Sequence, residues 1–175
     1  MRGISMTAAI LAVAVCVSAQ APARTESEKT WEKSDGDFHV KFGVTLDGNT
    51  VEAAWSVKAS AALPEFKEVT QVRRGQEFTL FLIFANCVPD STRRCQATVD
   101  YTLLGPKGDR LAERKGLRLW TKPLPAKDQV RLGTAVLRMS AEEKDPPGKL
   151  TLRAVVTDSV AKKSLVLERP LELLP

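Results

Sequence analysis

Histidine is almost missing from this sequence: His39 stands alone among 175 residues. That scarcity removes most of the usual apparatus of hydrolysis and metal binding. A nucleophilic serine, cysteine or threonine needs a base beside it, and His39 falls on the polar face of an expected strand with no partner fixed by spacing. No Gly-x-Ser-x-Gly elbow, phosphate-cradling glycine loop or metal-ligand spacing occurs. Cysteine is nearly as sparse, three in all, and no two of them form the Cys-x-x-Cys pair of a redox enzyme. Aromatics make up only 6% of the chain. Arg73-Arg74, Arg93-Arg94 and Lys162-Lys163 are isolated pairs at expected turns. The excess of 26 Lys and Arg over 21 Asp and Glu therefore reads as a solvated basic surface, without the dense cationic face and stacking aromatics that nucleic acid requires. The expectation is no catalytic, cofactor or metal residue. Among the carboxylates, Asp90 and Asp100 are the better candidates for buried acids. Asp90 is expected to cap a turn, and Asp100 to pair with a neighbouring cation.

An apolar run of bilayer-spanning length is lacking too. The uncharged stretch from Ala8 to Val17 follows Met1-Arg2-Gly3 and precedes Val17-Ser18-Ala19. This is the pattern of a secretory signal over residues 1–19, cleaved after Ala19, and it is too short for a permanent membrane helix. Cys16 would be a lipid-attachment site only behind a small residue, and Val15 is not one. The mature protein is expected to be periplasmic or secreted, with no transmembrane segment. Export gives the two remaining cysteines their meaning: Cys87 and Cys95, in an oxidising compartment, form one disulfide.

What the chain has in quantity is alternation. Residues 20–36 are polar and read as a flexible mature N-terminus with Trp31 as its one anchor, ending in an Asp35-Gly36-Asp37 turn. Phe38, Val40, Phe42, Val44 and Leu46 then alternate with polar residues as a strand buried on one side. Residues 50–59 fit either a hairpin strand or a short helix. The alanines, the Val51/Trp55 spacing and an Asn49 or Thr50 cap favour the helix. This strand and helix, residues 37–63, are expected to pack on a domain spanning 64–175. Glu65 to Val72 is an expected edge strand. Gln76 to Cys87 is apolar on both faces and marks an interior strand. Ala97–Leu103, Arg110–Arg118, Leu132–Ser140, Leu150–Val156 and Leu165–Leu173 follow, the last with an interruption near Pro170. Trp120 to Ala126, with Pro123 and Pro125, is an irregular crossing. About seven strands with regular turns make an antiparallel β-sandwich of immunoglobulin or fibronectin III type.

Arg73-Arg74-Gly75-Gln76, Cys87-Val88-Pro89-Asp90 with Cys95, Asp100-Tyr101, Gly105-Pro106-Lys107-Gly108, Leu119-Trp120, Asp145-Pro146-Pro147-Gly148 and Val156-Thr157-Asp158 occur in that order. In this the chain resembles a group of uncharacterised exported bacterial proteins with a C-terminal immunoglobulin-like sandwich, over roughly residues 38–175. The resemblance implies fold and export and carries no activity. The functional expectation is a noncatalytic binding or structural module of the cell envelope. It would engage a protein or glycan through loops 87–95 and 120–130, with Asp90, Arg93, Arg94 and Trp120 as the candidate surface, or through an exposed strand edge. An exported hydrolase with an unrecognised site and a chaperone-like or inhibitory partner of a secreted protein are the alternatives.

Overall fold

Alternation of side chains decides which strands pair and which faces meet. The computed structural model describes residues 30–56 and 66–175. The expected export signal with Cys16, the leader as far as residue 29 and the connector around Ser60–Pro64 lie outside the described residues. One sheet begins with β1 (Glu32–Asp35) and β2 (Phe38–Thr45), joined at Gly36 in the left-handed region. Next to β2 lies β4 (Glu77–Ala85), whose far edge is shared by two short strands, β7 (Arg131–Leu132) and β8 (Leu137–Ser140). The second sheet runs in the order β3 (Gln71–Arg73), β10 (Lys163–Leu174), β9 (Gly148–Asp158), β5 (Ala97–Leu104) and β6 (Arg110–Arg118). All pairings are antiparallel except β3 with β10. The described chain is thus mainly β, with ten strands in two sheets and one helix, α1 (Gly48–Ser56).

The two apolar faces of β4 serve two cores. Phe78, Leu80, Leu82 and Phe84 join the main core with Val99, Leu152, Val156 and Leu167 of the second sheet. Phe81 and Ile83, on the other face, form a smaller cluster with Val51 of α1, flanked by Trp55, Phe66 and Leu132. The both-sided burial expected of this strand is present over Phe78–Ala85. Gly43 of β2 is required here, because a Cβ at that position would overlap the Phe81 ring.

Several local expectations need correction. Glu32–Asp35, assigned to the flexible N-terminus, form β1. The strand at Phe38 is no appendage: β2 pairs with β4 from His39 opposite Ala85 to Thr45 opposite Thr79. The helix is present, but its cap is Asp47, whose Oδ1 accepts the Thr50 N–H at 3.0 Å. Of the expected strand Glu65–Val72, Glu65 lies outside the described residues; over the rest, Glu68 makes an isolated bridge and the strand itself is Gln71–Arg73. Leu132–Ser140 is broken in two: Gly133 still bonds Leu82 O of β4, but Thr134 turns its amide away to Leu119 O. Finally, β10 runs unbroken through Pro170. The Glu168 and Glu172 amides point away from β9, to Thr30 O and Thr70 O. Period two places the missing Pro170 donor on that same side, so no bond to β9 is lost.

Candidate functional site

At the end of β4 the backbone turns sharply. Asn86 takes a left-handed φ of 57°, a conformation asparagine tolerates better than most residues. Cys87 follows, and its disulfide to Cys95 closes a short ring with the Cα atoms 5.8 Å apart. Both cysteines are buried. Inside the ring, Asp90 organises the loop. Its Oδ1 accepts the amides of Thr92 at 2.8 Å and Arg94 at 2.9 Å and the Thr92 hydroxyl at 2.7 Å. Its Oδ2 accepts the Gln96 side-chain amide at 2.6 Å. These donors, Gln96 first and then the Arg94 and Thr92 groups, hold its carboxyl well below the usual carboxylate range. Asp90 is therefore the turn cap expected of it, ionised and committed to its own loop. Arg93, at φ 59°, and Arg94 are left exposed.

The irregular crossing 119–130 packs against this loop. Leu119 is buried and donates its amide to Ala97 O at 2.9 Å. Trp120 lies edge-on to Phe84 with ring centroids 5.5 Å apart, and its Nε1 donates to Pro123 O at 2.9 Å. Lys122 Nζ sits 5.7 Å from the centre of the Trp120 ring, within cation–π range. Asn86 clamps the crossing: its Nδ2 donates to Asp128 Oδ1 at 3.1 Å, and its Oδ1 accepts the Asp128 amide at 2.7 Å.

Between loop and crossing lies an open cleft of about 640 Å³. Arg93, Arg94, Arg118, Trp120 and Lys122 line it, and no carboxylate does. None of these four cations enters an ion pair among the described residues. Arg93, Arg94 and Trp120, predicted from the sequence, are brought together; Asp90 supports them from behind. Arg118 and Lys122 were not anticipated, since neither carries a local signal. Nor was Asp158, which is fully buried and ties the β4–β5 loop to the β9–β10 turn. It accepts the Val88 amide at one oxygen and the Val160 and Ala161 amides at the other, each at 3.0 Å. It continues the inward parity of Leu150, Leu152, Ala154 and Val156, which was its available signal.

The other sequence candidates lie elsewhere. Asp100 does not pair with a cation; its Oδ1 accepts the amide of Gly116 at 2.7 Å, at a bulge in β6 where φ is +66°. The acid buried in the core is Asp158, while Asp90 and Asp100 are only half-buried. His39 belongs to the β1–β2 hairpin, with Nδ1 2.8 Å from Ser34 Oγ and Nε2 3.3 Å from Glu32. The outer edge of β6 carries Arg110, Glu113, Arg114 and Lys115, and Glu113 bridges Arg110 and Lys115 at 3.2 and 3.3 Å. Charge and bulge together blunt that edge against strand addition. Among the described residues no group of three His, Cys, Asp or Glu is placed to hold a metal ion. No helix there is long and apolar enough to cross a membrane.

No protein-family model and no curated protein matches the sequence. Solved structures similar to it include a Niemann-Pick type C2 protein from Japanese carpenter ant, at 12% identity and TM-score 0.42, over 59% of this chain and 79% of that one. A family 123 glycoside hydrolase from Clostridium perfringens aligns at 10% identity and TM-score 0.41, over 77% of this chain and 27% of the other. The alkylpurine DNA glycosylase AlkC of Pseudomonas fluorescens aligns at 17% identity and TM-score 0.39, over 61% and 28%. At scores this low the likenesses carry no functional argument; what the chain offers for function is its own cationic cleft.

Proposed function

We propose that this chain is an exported, noncatalytic binding module of the bacterial cell envelope that engages an anionic group on a protein or glycan through the cleft between residues 87–95 and 119–130. The observation that carries this reading is four cations around one opening, without carboxylate partners among the described residues, held by a disulfide and an asparagine clamp. Unpaired surface charges of one sign attract and orient an opposite one. We also read the two sheets as immunoglobulin-like. The order β10-β9-β5-β6 corresponds to strands G-F-C-C′ of that fold, and β4 with β8 to B and E. On this reading the disulfide loop is the B–C loop and the crossing follows C′. Both belong to the end of the sandwich where such domains present binding loops. A tyrosine of the kind found near the start of strand F is replaced by Leu150 and Leu152, so the resemblance is one of topology.

Arg93→Glu with Arg94→Glu tests the reading. The variant is expected to lose binding to an envelope fraction that the wild type binds, with raised salt weakening the wild type in the same direction. Its melting temperature should not change, since neither side chain is buried or ion-paired. Undiminished binding by the variant overturns the proposal. Export is tested separately, by N-terminal sequencing of the secreted or periplasmic product, which is expected to begin at Gln20.

A further inference from the structure

We infer that the cleft is one half of a longer groove, and that the occupant of this groove is a linear polysaccharide bearing carboxylate or sulfate groups. The inference rests on the binding reading above and extends it to a second subsite. A cavity of about 440 Å³ adjoins the cleft and shares Trp120 and Lys122 with it. Trp55, Arg131, Thr134 and Glu52 are among its other lining residues. Glu52 is occupied by Arg138 at 3.4 Å. Arg131, like the cleft cations, has no carboxylate partner among the described residues. Lys122 therefore stands between Arg93, Arg94 and Arg118 on one side and Arg131 on the other. A polymer with an anion on successive units matches this row; a single anion uses part of it.

The walls choose among polyanions. The Trp120 ring is covered by the Phe84 edge and by Lys122, and Trp55 lies flat against Phe66 with centroids 6.4 Å apart. No succession of open aromatic faces remains on which bases could stack, as single-stranded nucleic acid requires. The backbone amides beside the groove are spent as well, Gly133 on Leu82 O at 2.7 Å and Thr134 on Leu119 O at 2.8 Å. A peptide strand seeking main-chain bonds finds neither of these two amides free. What remains for a ligand are charged side-chain donors, guanidinium and ammonium, which suit the carboxylate or sulfate groups of a sugar polymer.

Calorimetric titration of the mature protein decides this. The probes are galacturonate dimer and hexamer, sulfated chondroitin dimer and hexamer, neutral maltohexaose and hexameric deoxythymidylate. For at least one anionic series, the hexamer is expected to bind about tenfold or more tighter than its dimer, as two linked subsites demand. Whether the carboxylated or the sulfated series responds identifies the anionic group. Maltohexaose should give no heat, and deoxythymidylate should bind more weakly than the responding sugar. Arg131→Gln should erase the gain with length, and Lys122→Gln should weaken both lengths. Equal affinity for dimer and hexamer, or Arg131→Gln without effect on the hexamer, overturns the extended groove and leaves the cleft reading standing. Failure of every anionic sugar, or tighter binding of deoxythymidylate, overturns the polysaccharide. Loss of envelope binding in the Arg93→Glu, Arg94→Glu variant would still stand as a separate result.

Discussion

Asp158 shows how a single side chain sets the geometry of the loops. Its carboxylate is buried, and both oxygens accept main-chain amides from two different loops. Asn at this position keeps one oxygen but turns an NH₂ toward amides that need an acceptor. Asp158→Asn should therefore destabilise the fold by about 2–3 kcal/mol, read from urea denaturation, and weaken anion binding because Val88 loses its tether. The inward parity of residue 158 was legible in the alternation of β9, and Val160 and Ala161 lie in the turn that directly follows it; Val88 was not legible, because it comes from a loop 70 residues away. Glu68 gives a pH-dependent counterpart. Its desolvation raises the carboxyl pKa, but the bond from Lys41 at 2.7 Å and the contacts of the buried Arg169 outweigh this, and the net shift is downward. A depressed carboxylate contributes stability that is fully present above its unfolded pKa, near 4.5, and is lost as pH falls through the folded value. Glu68→Gln should thus lose stability relative to the wild type at neutral pH, and the gap should narrow on acidification below about 4.5. A gap constant from neutral pH into the acid range would contradict the linkage.

At the scale of elements, the alternating strands β2, β4, β5, β9 and β10 were legible because one or both faces bury apolar residues at period two. The misread segments are those whose structure depends on a partner. The length of β3 is set by where β10 passes, and the division between β7 and β8 by where the Thr134 amide finds its acceptor. Continuity at Pro170 depends on which side of β10 its missing donor faces. The disulfide loop is the opposite case: the expectation of export was enough to pair Cys87 with Cys95, and the two are bonded. Cross-linking so short a ring stabilises by about 2.5 kcal/mol through chain entropy. Cys87→Ser with Cys95→Ser should lose about that amount in denaturant titration. Its anion affinity should fall as well, because Arg93 and Arg94 sit inside the ring. Retained stability with lost affinity would assign the disulfide to the site alone.

At the scale of the molecule, the sandwich has a helix on the outside of one sheet, and β4 contributes to both cores. The sequence places residues 37–63 as a strand and short helix packed on the domain 64–175. Pairing with β4 restores the strand half of that segment to the sheet, and only α1 remains outside. Trp55 stacks on Phe66, and Phe66 meets Phe81 edge-on at 5.4 Å, so the helix is held chiefly through one side of β4. The nine described residues of α1 carry no acidic side chain in the first turn, and Val51 and Trp55 dock it. Opening it breaks only the smaller cluster, whereas opening β9 or β10 breaks the main core. In native-state hydrogen exchange the α1 amides should therefore exchange through a local opening well below the global unfolding free energy. The central β9 amides should exchange only through global unfolding. Val51→Ala should lower α1 protection further and leave β9 protection nearly unchanged, while Phe81→Ala, which removes the ring that fills the space above Gly43, should cost about 3–5 kcal/mol and lower both. Equal protection of α1 and β9 in the wild type would mean that the two cores open as one unit.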